Sequence, residues 1–284
     1  MSGYEQLASV IMKKAWDFGA DLAGFVNVES MKQAPSHKLL NRLPIYEVID
    51  FSESDPEAAP PEEPTSRREM ELPAWTGTLL IIALYHPEDK PALDYFRPSS
   101  SGGSEGNLKL IRINNQVIRW LDEKKAMKSR QVPYGIDKGG IGLKDAAVLA
   151  GLGAIGKNNM LITRRYGPRV RLRALALPVT LPETGPLDFD PCSICDMPCR
   201  QVCPSKAFDN IIFGPRDYSM LALPAREGVY DREACALESD KRLHSDASNP
   251  PKGDVESGDP IVVSCRACEF ACPVGKRRNP RQPD

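Results

Sequence analysis

The sequence predicts an α+β or α/β domain followed by a small domain built around cysteines. Three observations predict it. Strand-like and helix-like segments alternate up to residue 180, the pattern of an α/β unit. All eight cysteines fall between Cys192 and Cys272. The stretch Pro182 to Pro191 between these regions is proline-rich and holds Gly185, the composition of a connection. The expected division is therefore 1–181 and 182–284.

The elements follow in order. Leu7, Val10, Ile11 and Ala15 recur at helical spacing, which predicts an amphipathic helix over 4–17 that Gly19 ends. Asp21 to Val28 reads as a strand. Residues 43–66 hold seven acids, five prolines and no Lys or Arg, as expected of a solvated surface loop. Thr78 to Tyr85 is a strongly apolar strand. Residues 97–107, rich in Ser and Gly, read as a flexible loop. Helices are expected over 114–127 and 143–150, and a strand over 170–177.

Composition narrows the function classes. The chain has 284 residues, 41% apolar and 26% charged, with a net charge of -1. This is an ordinary soluble balance, with no global signature of nucleic-acid or membrane binding. The apolar stretch Leu79 to Tyr85 is too short for a bilayer. Met1 to Asp17 has no long apolar core. The expectation is a cytoplasmic protein in a reducing compartment, without membrane association.

The cysteines carry the strongest signal. One group reads Cys192-Ser-Ile-Cys195-Asp-Met-Pro-Cys199-Arg-Gln-Val-Cys203-Pro204, and the other Cys265-Arg-Ala-Cys268-Glu-Phe-Ala-Cys272-Pro273; Cys235 stands alone between them. Disulfides and two zinc sites would also use eight sulfurs. Both groups, however, finish in Cys-x-x-x-Cys-Pro, the ferredoxin-type ending. Two [4Fe–4S] clusters are therefore expected. A Cys-x-x-Cys turn wraps one face of a cubane, a third cysteine reaches the next iron, and the following one serves the other cluster. That rule assigns Cys192, Cys195, Cys199 and Cys272 to one cluster. It assigns Cys203, Cys235, Cys265 and Cys268 to the other. In the alternative partition each group keeps its own cluster. Three residues rather than two separate Cys195 from Cys199, so a residue must bulge there, with Pro198 fixing the turn.

Two further stretches invite a chemical reading. Gly151-Leu-Gly153-Ala-Ile-Gly156-Lys157 matches a dinucleotide fingerprint, but a helical segment precedes it and no ribose-binding acid follows. The reading adopted is a tight glycine turn bringing backbone close to a ligand, with Lys157 able to meet a phosphate or carboxylate. Thr163 to Arg173 carries five arginines. These read as a loop and a solvent-facing strand edge, or as an anion-binding patch. His37, His86 and His244 are scattered and suggest no metal triad.

Three stretches carry a family resemblance. They are Gly19-Ala-Asp-Leu-Ala-Gly24-Phe-Val, then Ala150-Gly-Leu-Gly-Ala-Ile-Gly-Lys-Asn158 with Leu161-Ile162 and Tyr166-Gly167, and the cysteine region with its solitary Cys235. Together they resemble the epoxyqueuosine reductase and reductive dehalogenase group of cobalamin-dependent iron–sulfur enzymes. The resemblance implies a nitroreductase-like domain holding cobalamin, followed by a two-cluster ferredoxin-like domain that feeds electrons to cobalt. It implies Gly151, Gly153, Gly156, Lys157 and Asn158 at the cofactor. It also implies a proton donor at Asp137, fourteen residues before Gly151; a turn residue beside Gly139 and Gly140 is the competing reading. The tRNA-acting members carry an Asp-Tyr-His segment, which this chain lacks. Where they have prolyl and glutamyl positions after the aspartate, it reads Lys138-Gly-Gly-Ile-Gly142, and it ends 12 residues after Cys272 without helical repeats. The leading expectation is a reductase acting on a small molecule rather than tRNA, supplied by a donor such as a ferredoxin or flavodoxin. The alternatives are an electron carrier without a corrinoid and an epoxyqueuosine reductase-like enzyme.

Overall fold

The computed structural model describes residues 2–39, 70–96, 103–135, 139–210, 229–246 and 262–276. The acidic stretch 43–66, residues 97–102 and Asp137 lie outside the described residues. In chain order the elements are α1 (Gly3–Asp17), β1 (Leu22–Asn27), α2 (Val28–Lys32), α3 (Pro35–Leu39), β2 (Thr78–Tyr85), β3 (Tyr95–Phe96), α4 (Glu105–Lys125), β4 (Arg130–Gln131), α5 (Leu143–Leu149), β5 (Ala154–Ile155), β6 (Leu161–Ile162), β7 (Val170–Leu177), α6 (Pro198–Gln201), α7 (Arg232–Asp246), β8 (Val262–Val263) and α8 (Ala267–Ala271).

The main sheet runs β1-β2-β7-β4, and every neighbouring pair is antiparallel. The structure is a mixed α and β fold, as the alternating strands and helices suggested, and its sheet is antiparallel because the intervening helices do not return the chain as parallel crossovers. Strand β2 explains its own unbroken apolar run. Successive side chains point to opposite faces. Leu79, Ile81 and Ala83 meet α2 and α5, while Leu80 and Ile82 meet α1 and α4. Both faces are covered, so neither parity can be polar. Each fully buried Leu or Ile contributes roughly 2–3 kcal/mol to this core.

The helices begin where their caps dictate. Ser2 and Glu5 form a reciprocal capping box at α1. After α1, Gly19 takes φ +107°, a conformation that favours glycine. Helix α4 starts nine residues before the expected boundary, capped by the Ser104 hydroxyl, which accepts from the Asn107 amide. Its apolar stripe Leu110, Ile113, Val117 and Leu121 is continuous, but the Ser/Gly run before it obscured the first turns. Gly106 suits that first turn, since a Cβ there would lie 2.0 Å from Cε1 of the His86 ring.

Segment 182–191 is fastened along the outer edge of β1 rather than hanging as a free hinge. The Phe25 amide donates to Thr184 Oγ1 at 2.8 Å, and that hydroxyl donates to the Ala150 carbonyl at 2.6 Å. This also covers an edge strand that would otherwise offer unpaired backbone groups.

The cysteine-bearing region docks on the other end of the sheet through a two-stranded β3–β8 ladder and a buried charge cluster. Arg171 of β7 meets Asp94 at 2.8 Å and Glu269 at 3.0 Å. Arg266 pairs with both acids and stacks on Phe270, and His86 Nδ1 lies 2.9 Å from Asp94. Burial pushes the Asp94 carboxyl up, but His86, Arg171 and Arg266 outweigh it and hold it below its ordinary value. A depressed carboxylate stabilises the fold above its unfolded pKa, and that contribution is lost as pH falls through the folded value. Asp94→Asn should therefore cost about 3 kcal/mol at neutral pH, since it leaves two guanidinium groups under-compensated. The difference from the parent should shrink once acid protonates Asp94 itself. Urea unfolding at pH 7 and near pH 3 checks both parts.

Candidate functional site

All eight cysteines carry free thiols, with no disulfide between them. Their electrostatic neighbourhoods fall into two sets. Cys199 feels Cys272, Cys192 and Cys195; Cys268 feels Cys235 and Cys265, then Cys199 and Cys203. Cys235 likewise feels Cys203 and Cys265. The first set thus joins Cys192, Cys195 and Cys199 to the distant Cys272. The second joins Cys203, Cys235, Cys265 and Cys268. The influence of Cys199 on Cys268 sets the two groups side by side. Among the described residues, no group of three or more His, Cys, Asp or Glu side chains has the arrangement of a single-ion site.

Local backbone explains how the first set closes. The extra residue between Cys195 and Cys199 is absorbed at Met197, which adopts φ 56°, ψ 48°. Pro198 then opens α6, where its missing N–H costs nothing. This turn delivers Cys199 to a buried position beside Cys272. The Lys157 amide donates to Cys192 Sγ at 3.4 Å, and the Ala207 amide donates to Cys203 Sγ at 3.4 Å. Such N–H···S bonds favour the thiolate over the thiol.

Burial dominates the thiol chemistry. It pushes Cys199 up to about 11 and Cys268 up to about 12, with neighbouring thiols adding to the effect. It also raises Cys192, Cys235 and Cys272, against the Lys157 amide at Cys192, Tyr230 at Cys235, and the Val274 amide and Arg169 at Cys272. The uncharged form therefore prevails at neutral pH. Only a strongly electropositive occupant would hold these sulfurs as thiolates, and its binding would release protons.

The glycine loop lies against both sets, and its glycines are packed closely against protein. A Cβ on Gly151 would sit 2.5 Å from the Thr184 carbonyl oxygen, and one on Gly153 would sit 2.2 Å from the Ile162 carbonyl oxygen. Gly156 faces the Ile162 and Asn158 side chains. Close packing inside the β5–β6 hairpin and against segment 184–185 thus accounts for the Gly-x-Gly-x-x-Gly spacing. Gly24 backs onto Ala150 and Thr184 as well, which brings the early segment and the glycine loop together. Beyond the glycines, the loop reaches the cysteines directly. The Lys157 carbonyl accepts from Arg200, and Met160 Sδ lies 3.9 Å from Cys268 Sγ. Asn158 is buried; its Oδ1 accepts from the Met160 amide, and its Nδ2 has no acceptor among the described residues.

The arginine run is divided: Arg164 is exposed on the loop, Arg169 is buried, and Arg171 and Arg173 are partly buried and paired. Arg164 donates to the Asp188 carbonyl and stacks on Phe189, Arg173 grips Asn107, and Arg171 and Arg169 turn inward to the cysteine-bearing segment. Periodicity alone hid this role, because buried cations need partners that arrive from distant sequence. The acids Asp94 and Glu269 were the signal available, and their spacing gave no reason to join them.

Among the described residues, no helix is long and apolar enough to cross a membrane.

No protein-family profile matches the chain. In sequence it is similar to the epoxyqueuosine reductase of Lactococcus garvieae, 30% identical over 209 residues, which cover 71% of this chain and 53% of that one. In structure it is similar to an epoxyqueuosine reductase solved with a modified tRNA stem loop: TM-score 0.61, 19% identity, 98% of this chain and 67% of the other. A reductive dehalogenase whose structure suggests a mechanism for B12-dependent dehalogenation gives a TM-score of 0.58 at 16% identity, with 98% of this chain and 33% of the other covered. The matches extend over 37% to 61% of the length of the first four curated epoxyqueuosine reductases. A mixed α and β fold of this kind, with two cysteine sets at one end, defines the class. The chain belongs to the epoxyqueuosine reductase and reductive dehalogenase-like family.

The packing of the loop yields a direct test. Gly153→Ala should destabilise the protein by about 2 kcal/mol or more, since the new Cβ collides with backbone. Lys157→Ala, with its main-chain contacts intact, should cost far less. Thermal unfolding of the two variants separates packing from ligand approach.

Proposed function

We propose that the protein is an iron–sulfur reductase with two [4Fe–4S] clusters, one on Cys192, Cys195, Cys199 and Cys272 and one on Cys203, Cys235, Cys265 and Cys268. The observation that carries this reading is the sorting of eight free thiols into two adjacent sets of four, each joining residues far apart in sequence. The donor set suits such clusters: all sulfur, with Cys199 and Cys272 buried and the other six partly so, and with main-chain amides aimed at Cys192, Cys199, Cys203 and Cys272. Clusters so held supply stepwise one-electron transfer. The protein's own part is to exclude water, to fix the sulfurs and to keep the two sets adjacent.

On this reading the chain divides near residue 181 into a nitroreductase-like domain and a ferredoxin-like domain, the second secured by the Arg171–Asp94–Arg266–Glu269 cluster. Cobalamin is the second cofactor proposed. The feature that fits it is Asn158, a buried amide with an unspent donor in a loop touching both cysteine sets. The corrinoid periphery offers carbonyl acceptors for that donor. Lys157 stands beside it in the same loop. Bound there, a corrinoid supplies a strongly reducing cobalt centre. Asp137 is proposed as the proton donor, between Gly135 and Gly139 in sequence.

The substrate proposed is a small molecule, with electrons from a ferredoxin- or flavodoxin-type donor in the cytoplasm. A second reading, reduction of a modified nucleoside in tRNA, is favoured by one observation: the neighbour solved with a tRNA stem loop matches 98% of this chain. Affinity for tRNA that falls steeply with added salt would support that reading, and none at moderate salt would count against it.

Anaerobically purified protein should contain iron and labile sulfide rather than zinc. Cys235→Ala should lose about half of the iron, because it removes one cluster ligand from a set with no spare thiol. Unchanged iron would remove Cys235 from the ligand set, and zinc in the parent would end the reading. Asp137→Ala should keep both clusters and lower turnover roughly a hundredfold, the usual scale for a lost general acid. Full turnover would leave Asp137 a turn residue.

A further inference from the structure

Arg169 is a buried cation whose place the proposed chemistry has not used. It is 2% exposed, at the foot of β7. Its Nη2 donates to the Cys272 carbonyl at 2.8 Å, its Nη1 to the Val274 carbonyl at 2.9 Å and the Tyr166 carbonyl at 3.4 Å, and its Nε to Glu88 at 3.0 Å. The guanidinium thus spans the turn that carries Cys272 and the turn that precedes β7. Those turns touch backbone to backbone: a Cβ on Gly167 would lie 2.0 Å from the Val274 carbonyl oxygen, and one on Gly275 would lie 2.5 Å from the Gly167 amide nitrogen.

Cys272 differs from its three partners in the first set. Cys192, Cys195 and Cys199 are tied by short spacing, whereas Cys272 arrives from the far end of the described chain. Its position therefore depends on what fastens residues 272–275 to the sheet. Arg169 is the side chain that does so, with two carbonyls on one guanidinium. Among the described residues its acidic hydrogen-bond partner is Glu88, which is about half exposed and lies also within 3.8 Å of Lys276. Water and Lys276 weaken Glu88 as a counter-charge, while the buried cation faces the sulfur set with little screening.

We infer that Arg169 is a positioning residue for the Cys272 cluster, holding that ligand in place and favouring the reduced state of that cluster through its fixed positive charge. This rests on the two-cluster reading above. A cluster gains negative charge on reduction, so a nearby buried cation raises its potential. The second set has no contact with Arg169 among the interactions described and should not respond.

The test is a potentiometric titration followed by electron paramagnetic resonance on full-length protein prepared without air, with iron counted in each sample. Wild type, Arg169→Met and Arg169→Lys are compared. Met preserves much of the side-chain length but removes the charge and all donors. Its expected result is one midpoint shifted downward, or loss of about half of the iron, with the other cluster's signal and midpoint unmoved. Lys keeps the charge and should leave the midpoint near the wild-type value wherever the cluster loads. Unchanged iron and two unchanged midpoints in the Met variant would overturn the inference. So would a shift of both midpoints together, or a Lys variant shifted as far as Met. Wild-type protein without iron would instead overturn the two-cluster reading, so the two failures are distinguishable.

Discussion

The structure depends on buried and partly buried guanidinium groups that join the sheet to the cysteine-bearing chain. Arg169 and Arg171 leave the foot of β7, Arg266 comes from between two cysteines, and their partners are Asp94, Glu269 and main-chain carbonyls. Burying these charges is unfavourable unless every one is compensated. That demand fixes the relative position of segments that share no sequence neighbourhood. The cysteine sets inherit their geometry from it. Cys265 and Cys268 flank Arg266, and Cys272 is held through its own carbonyl.

Around this joint the fold works by exclusion. Helices on both sides of an antiparallel sheet leave β2 without a polar face. The glycine loop closes against segment 184–185, which itself covers the edge of β1. The loop is therefore a rigid spacer between the sheet and the thiols. Its Lys157 amide reaches Cys192, its Met160 sulfur reaches Cys268, and Asn158 keeps a buried donor in the same loop. A rigid spacer of this kind suits electron transfer, in which little needs to move.

Much of this was legible in the sequence where the signal is local. The stripe in α1, the apolar runs of β2 and β7 and the clustering of cysteines each follow from periodicity or spacing. The need for a bulge before Cys199 was legible too, and Met197 with its left-handed backbone supplies it. What escaped was set by partners distant in sequence. Antiparallel pairing cannot be read from alternating element types. The first turns of α4 were masked by Ser and Gly, which serve there as cap and as room for His86. The packing of the glycine loop was hidden as well, since the atoms that exclude a Cβ belong to Thr184 and Ile162. Arginines in a strand looked solvated because the carbonyls and acids that receive them come from beyond residue 260 and from the turn before β3.

The docking of the Cys272 turn on the foot of β7 also orders events during biogenesis. Strand β7 pairs along its full length with β2, a contact between regions about a hundred residues apart in a chain of 284. Until that pairing forms, Arg169 has no fixed location and the turn has nothing to rest on. On the two-cluster reading, a metallocentre closed by Cys272 would enter polypeptide that has already collapsed, unlike a zinc finger, whose ion drives the folding. Maturation of such a site would then follow the long-range pairing of the scaffold.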